Sequence, residues 1–238
     1  MKDLFGKAIL DFQTNNAPEN LITETSISDK DEMSVAYLFR NFDEMPKIEQ
    51  LALQLCNGKI LDVGCGAGSH SLHLQNECNL EVTAIDISEN AIAACRLRGL
   101  KNAFAEDLFK LKNQKFDTIL LLMNGSGIAG KRNKLKEFLI HLKSLLNKNG
   151  QVLIDSSDLI YMFDDEEKQA LLNQKETKYY GEIEFNLSYK NQNEIPFNWL
   201  YVDFETLKTV AAFIDLSCEK LIDGENFDYL ARLSYKIT

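Results

Sequence analysis

The chain has 238 residues and a formal net charge of −10 at neutral pH. That length can bury one good-sized core, so a single α/β domain with an accessory element fits it. The acidity works against a polyanionic partner, because phosphates are met by clustered Lys and Arg, and no apolar run approaches the roughly 18 residues of a membrane-spanning helix.

From Met1 to about Asn57 the apolar spacing is helical, and Pro46 is placed to begin a helix over Lys47–Leu55. The opening residues, Met1 to Lys7, lack the continuous apolar region of a secretory signal. After Gly58 the pattern alternates. Lys59–Val63 reads as a strand and Ser69–Asn76 as a helix. Glu81–Asp86 is a second strand, and Ser88 is an N-cap for a helix over Glu89–Arg98. Ala103–Glu106 is a short third strand. Phe116–Met123, the run Phe-Asp-Thr-Ile-Leu-Leu-Leu-Met, reads as a strand buried on both faces and so central. Lys134–Asn147 is amphipathic, with a stop signal at Asn149-Gly150, and Gln151–Asp155 is the fifth strand.

This β-α-β-α-β order implies a parallel sheet with helices on both faces. Residues 156–203 interrupt it with an acidic helix start (Asp164 to Glu167) and two aromatic-rich strands, Lys178–Lys190 and Ile195–Asp203. The chain closes with a helix over Phe204–Leu216 and two strands, Ser217–Asp223 and Tyr229–Ile237. Two regions follow: an N-terminal helical segment over 1–57, and a main domain over 58–238 that carries an insertion at 156–203.

The most informative stretch is Ile60-Leu61-Asp62-Val63-Gly64-Cys65-Gly66-Ala67-Gly68. An apolar strand runs into an acidic residue and then glycines at alternate positions, which lets backbone wrap closely around a small polar ligand. A dinucleotide fingerprint would be G-x-G-x-x-G; here the third glycine comes one residue early. The run resembles the first motif of the class I S-adenosylmethionine-dependent methyltransferases, Asp-x-Gly-x-Gly-x-Gly. The order and spacing of elements match that family from Lys59 to the C-terminus, including the final hairpin, whose last strand runs antiparallel. The implied fold is α/β: a Rossmann-like, seven-stranded, mostly parallel sheet with helices on both faces, plus an inserted β-hairpin.

The resemblance implies S-adenosyl-L-methionine as cofactor and S-adenosyl-L-homocysteine as product, with the N-terminal segment covering the cofactor site. Asp62 would orient the loop and interact with the ammonium group, while Gly64, Cys65, Gly66 and Gly68 line the path past the methionine and sugar. Asp86, at the tip of the second strand, would accept from the ribose hydroxyls and Ile87 would press on the adenine. Asp107 would accept from the exocyclic amine, with Leu108 beside it. Asn124 would contact cofactor or acceptor, and Arg40, amid Tyr37, Phe39 and Phe42, would meet the methionine carboxylate.

Simpler readings stand beside these. An αL turn needed only for packing explains one glycine; Ile87 has an alternative as a core residue, Asp107 as a turn cap, and Arg40 as a surface helix arginine. Gly125 and Gly127 are equally a plain flexible loop. His70 and His73 are polar helix residues rather than a metal pair, and His141 is structural. The acidic residues from Asp164 to Glu167 suit a helix N-terminus, so no metal is assigned. The five cysteines, odd in number and without C-x-x-C spacing, suggest no disulfide framework, and the expected location is cytoplasmic.

The departure at Asn124-Gly125 from Asn/Asp-Pro-Pro-Tyr/Phe argues against a DNA amino-methyltransferase. The acceptor is expected to be a small molecule. Tyr161, Tyr179, Tyr180 and Trp199, in the insertion, are candidate walls of its pocket. No catalytic residue is assigned. A nicotinamide-dependent oxidoreductase and a non-catalytic S-adenosylmethionine-binding module remain the competing readings.

Overall fold

A computed structural model describes residues 2–173 and 179–236. Its centre is a seven-stranded sheet built from β3 (Lys59–Val63), β4 (Glu81–Asp86), β5 (Ala103–Ala105), β6 (Phe116–Leu121), β7 (Leu146–Ser157), β11 (Leu216–Asp223) and β12 (Asp228–Tyr235). The spatial order is β11-β12-β7-β6-β3-β4-β5. The first five strands in sequence pair in parallel, and β12 enters antiparallel between β7 and β11. Strand order reverses between β3 and β6, so the crevice beyond their carboxyl ends is where an open α/β sheet takes its ligand.

Alternation along the strands assigns the two faces. Leu61, Ile119, Val152, Ile154 and Leu233 turn one way, onto α5 (Arg132–Leu145) and α7 (Phe204–Ala212). Ile60, Val82, Leu120, Leu153 and Leu230 turn the other way, onto α2 (Lys47–Leu55) and α3 (Ser69–Asn76). Beside these, α4 (Glu89–Leu97) seats Ile92 and Cys95 on Ala84 and Ala103. Asp62 and Asp155 share the parity of Ile60 and Leu153. Two acids therefore sit on the α2/α3 face, near the carboxyl edge.

The N-terminal segment is not purely helical. After α1 (Leu4–Thr14) it forms a hairpin of β1 (Leu21–Thr25) and β2 (Ser28–Met33). The hairpin joins the insertion: β1 pairs antiparallel with β8 (Glu182–Tyr189), which also pairs with β10 (Phe197–Leu200) and with the short β9 (Gln192–Asn193). The inserted hairpin is thus part of a second, mixed-origin sheet of order β10-β8-β1-β2. Leu21, Leu187 and Tyr189 form its core with Leu4 and Ala8 of α1. Lys178 and Ile237, where sequence starts one strand and ends another, lie outside the described residues.

Boundaries shift elsewhere. α5 stops at Leu145, and β7 runs through Asn149-Gly150 with an irregularity in its pairing to β6. That dipeptide marks a strand distortion, not the helix end. The acidic residues at 165–167 do open a helix, α6 (Asp165–Asn173), as their fit to the helix dipole implies.

Candidate functional site

The glycine run follows β3 and is stitched to β4: the amides of Gly64 and Cys65 donate to the Ile85 carbonyl at 2.8 and 3.1 Å. Its glycines have distinct jobs. Gly66 has φ +53°, and a Cβ built there meets no heavy atom within 4 Å, so it faces open space. Gly68 has φ +81°, and its Cβ would lie 2.9 Å from Cys95 Sγ on α4. The first position leaves room in front of the loop; the second lets α4 pack behind it. Gly68→Ala should therefore lower the melting temperature by several degrees, about 1–3 kcal/mol from overpacking plus left-handed strain. An unchanged thermal midpoint would remove that packing role.

Asp86 ends β4 and holds the loop. Its Oδ2 accepts from the Gly66 amide at 3.0 Å and its Oδ1 from the Ser88 amide at 2.9 Å. Burial raises its carboxyl pKa, only partly offset by those two bonds. Each oxygen keeps further acceptor capacity. Ile87 is 59% exposed, which removes its reading as a core residue. Ser88 caps α4 as the sequence implies, accepting from the Ala91 amide.

Asp62 is buried and accepts from Ser71 Oγ at 2.6 Å. It braces α3 behind the loop and offers almost no open surface. Asp107 caps the turn Leu108–Lys110 by accepting from the Phe109 amide, and is half-buried. The Leu108 side chain lies in the core rather than in the crevice. Cys65 is buried, its sulfur 3.9 Å from Cys95 Sγ.

Beyond β6 the backbone turns sharply, with Met123 and Asn124 both at positive φ. Asn124 is committed at both ends: Oδ1 accepts from Ser126 and Ser156 hydroxyls, and Nδ2 donates to the Leu200 carbonyl of the insertion. The sequence reading missed Asp155, which looks like the last residue of an apolar strand. Its Oδ1 accepts from the Gly125 amide at 3.0 Å and pins this turn.

Burial pushes the Asp155 carboxyl up to about 6 from an ordinary 3.8. The folded-state value lies above the unfolded one, so the folded protein holds this proton more tightly. Its contribution to stability is full below about pH 4 and is lost as pH rises through about 6, a span worth about 3 kcal/mol. Asp155→Asn should flatten that slope. Urea midpoints for both proteins between about pH 4 and pH 8 would measure the difference, and parallel curves would refute it.

Arg40 is not a surface residue. It is 7% exposed, stacked on Tyr37 with 3.9 Å from guanidinium carbon to ring centre, and ion-paired with Glu49. Glu49, the other residue the sequence reading missed, also bonds His70 Nε2 at 2.7 Å. Burial pushes the Glu49 carboxyl up, but bonding and charge from His70 and Arg40 outweigh it and hold the group below its ordinary value. His70 is therefore part of a buried ionic network, whereas His73 stacks on Phe42. Among the described residues no His/Cys/Asp/Glu group is arranged to hold a metal, and no helix is long and apolar enough to cross a membrane.

A family model described as a methyltransferase domain matches residues 56–210. A solved S-adenosylmethionine-dependent methyltransferase from Bacteroides fragilis, in complex with S-adenosyl-L-homocysteine, is 43% identical. That match covers 99% of this chain and 96% of that one, with a TM-score of 0.90. The fold also resembles the sugar N-methyltransferase KedS8 from Streptoalloteichus (16% identity, 80% and 85% of the chains, TM-score 0.56). A third likeness is the CcbJ methyltransferase from Streptomyces caelestis (13%, 81% and 91%, 0.62). No curated protein matches the chain. With a glycine loop open at Gly66 and a family match over most of its length, this chain belongs to the class I S-adenosylmethionine-dependent methyltransferases.

Proposed function

We propose that this methyltransferase acts on a small-molecule acceptor entering under the insertion, with the cofactor lying across the loop from Gly64 to Gly68. The observation that carries the cofactor placement is the open space before Gly66, flanked by Asp86 and Ile87. Asp86 is the ribose acceptor, Ile87 the apolar contact for adenine, and Asp107 the acceptor for its amine, with the Leu108 backbone beside it. Gly64 and Cys65 line the path, Gly68 and Asp62 support it from behind, and Asn124 shapes the methionine end. Arg40 meets the carboxylate, and its Nε is the one buried side-chain nitrogen or oxygen without a partner among the described residues.

When bound, S-adenosylmethionine supplies a methyl group activated by a sulfonium, transferred by in-line displacement. The protein's part is to hold the acceptor atom in line and keep water out. The N-terminal segment contributes by closing on the loop: Ser69 Oγ donates to the Leu38 carbonyl at 2.8 Å, and Arg98 lies over Phe39 and donates to the Ala67 carbonyl.

Support for a small acceptor comes from the insertion and from charge. Trp199 packs so closely on Gly127 that a Cβ there would fall 2.0 Å from the indole. Tyr179 donates to Asp203 and Tyr180 to Asp158, which sets aromatic walls beside the end of β7. Tyr161, by contrast, stacks on Phe227 and stays part-exposed. Loops over a sheet's carboxyl edge are where a shared scaffold acquires its own substrate. The net charge of −10 disfavours nucleic acid, and five free thiols suit a reducing, cytoplasmic setting.

Methyl-labelled S-adenosylmethionine offered with a panel of small amines, alcohols and thiols, and in parallel with RNA and DNA, tests the acceptor class. Label in a small molecule is the expected result. Label in nucleic acid alone would overturn it.

A further inference from the structure

Arg40, Glu49 and His70 are each more than nine-tenths buried and come from three different segments. Arg40 lies in the chain before α2, Glu49 in the first turn of α2, and His70 in the first turn of α3, two residues past Gly68. The guanidinium is fixed on several sides. Nη1 donates to the Tyr37 carbonyl, Nη2 to both Glu49 oxygens, and the Tyr37 ring covers its face. Those bonds use one edge of the fork and leave Nε–H as a buried donor with no partner. Burying an arginine requires a counter-charge, and Glu49 supplies it. Glu49 is in turn anchored by His70, on the helix that the glycine loop begins.

We propose that Glu49, held by His70, is the positioning residue that aims Arg40 at the cofactor's carboxylate. Glu49 touches no cofactor itself. It fixes the rotation of the guanidinium and leaves Nε–H as the donor for the carboxylate. It also couples that arm to α3, so the loop and the N-terminal segment hold the cofactor as one unit. The inference rests on the assignment of Arg40 to the carboxylate, and the test separates the two.

Isothermal titration of the full chain with S-adenosylhomocysteine and with methylthioadenosine, which lacks the amino-acid end, compares a ligand that has the carboxylate with one that does not. Arg40→Ala and Glu49→Gln should each weaken S-adenosylhomocysteine binding at least about tenfold and leave methylthioadenosine within about twofold. The double variant should bind no worse than Arg40→Ala, because both changes remove one interaction. His70→Gln should show the same ligand preference with a smaller loss.

If Glu49→Gln weakens both ligands equally, Glu49 is only structural and the inference fails while Arg40 keeps its role. If Arg40→Ala leaves S-adenosylhomocysteine binding intact, the carboxylate assignment itself falls. Should Glu49→Gln not fold, Glu49→Asp, which keeps the charge but shortens its reach, replaces it. An unchanged ratio of the two affinities in that variant overturns the proposal.

Discussion

Gly66→Val should bind S-adenosylhomocysteine at least about a hundredfold more weakly than the wild type, a loss of about 3 kcal/mol or more, while remaining folded. The Cβ at this position meets nothing of the protein within 4 Å, so the branched side chain occupies the ligand's space rather than the core. The backbone sits at φ +53°, where an L-residue costs about 1–2 kcal/mol. That is a fraction of the roughly 5–15 kcal/mol that holds a domain together. Circular dichroism should therefore report a native fold with a modestly lowered midpoint, and titration calorimetry should report little or no binding. Wild-type affinity in the folded variant would mean that the cofactor does not cross this loop.

The second large effect is expected at Asp86. Removing the carboxylate leaves the amides of Gly66 and Ser88 without their acceptor, at about 1–3 kcal/mol for each group that water cannot reach. It also deletes the proposed ribose acceptor. Asp86→Ala should weaken S-adenosylhomocysteine by about a hundredfold or more, and Asp86→Asn, which keeps one oxygen, by less. The order wild type, Asn, Ala is the signature, read by calorimetry at a pH where all three are folded. Binding by Asp86→Ala within about threefold of wild type would place the ribose elsewhere.

Much of this was legible because the sheet is local in sequence. β3 and β4 are each followed directly by a helix, β6 is followed after a short turn by α5, and period-two and period-3.6 patterns separate cleanly there. Asp62, Asp86 and Asp107 stand where strand ends put them. What escaped detection depends on contacts between distant segments. β2 reads Ser-Asp-Lys-Asp-Glu-Met, a polar run exposed along most of its length. It is a strand only because β1 pairs it, and β1 is itself held by β8 some 160 residues later.

Glu49 occupies the first turn of a helix, where an acid needs no special explanation. Only the approach of Arg40 and His70 makes it a buried counter-ion. Asp155 is the same case at the end of a buried strand, its purpose visible only once the Gly125 amide is seen above it. Asn124 illustrates the converse. Its position after β6 was readable from spacing, but the commitment of its side chain to Ser126, Ser156 and Leu200 was not, because two of those partners belong to later parts of the chain.

The decisive measurement is a crystal structure of the protein with S-adenosylhomocysteine. The ligand should lie across Gly64–Gly68, with its ribose on Asp86, its adenine beside Ile87 and Asp107, and its carboxylate on Arg40 next to Glu49. Ligand density away from the Gly66 face, or a carboxylate held by another residue while Arg40 stays paired only with Glu49, would contradict it.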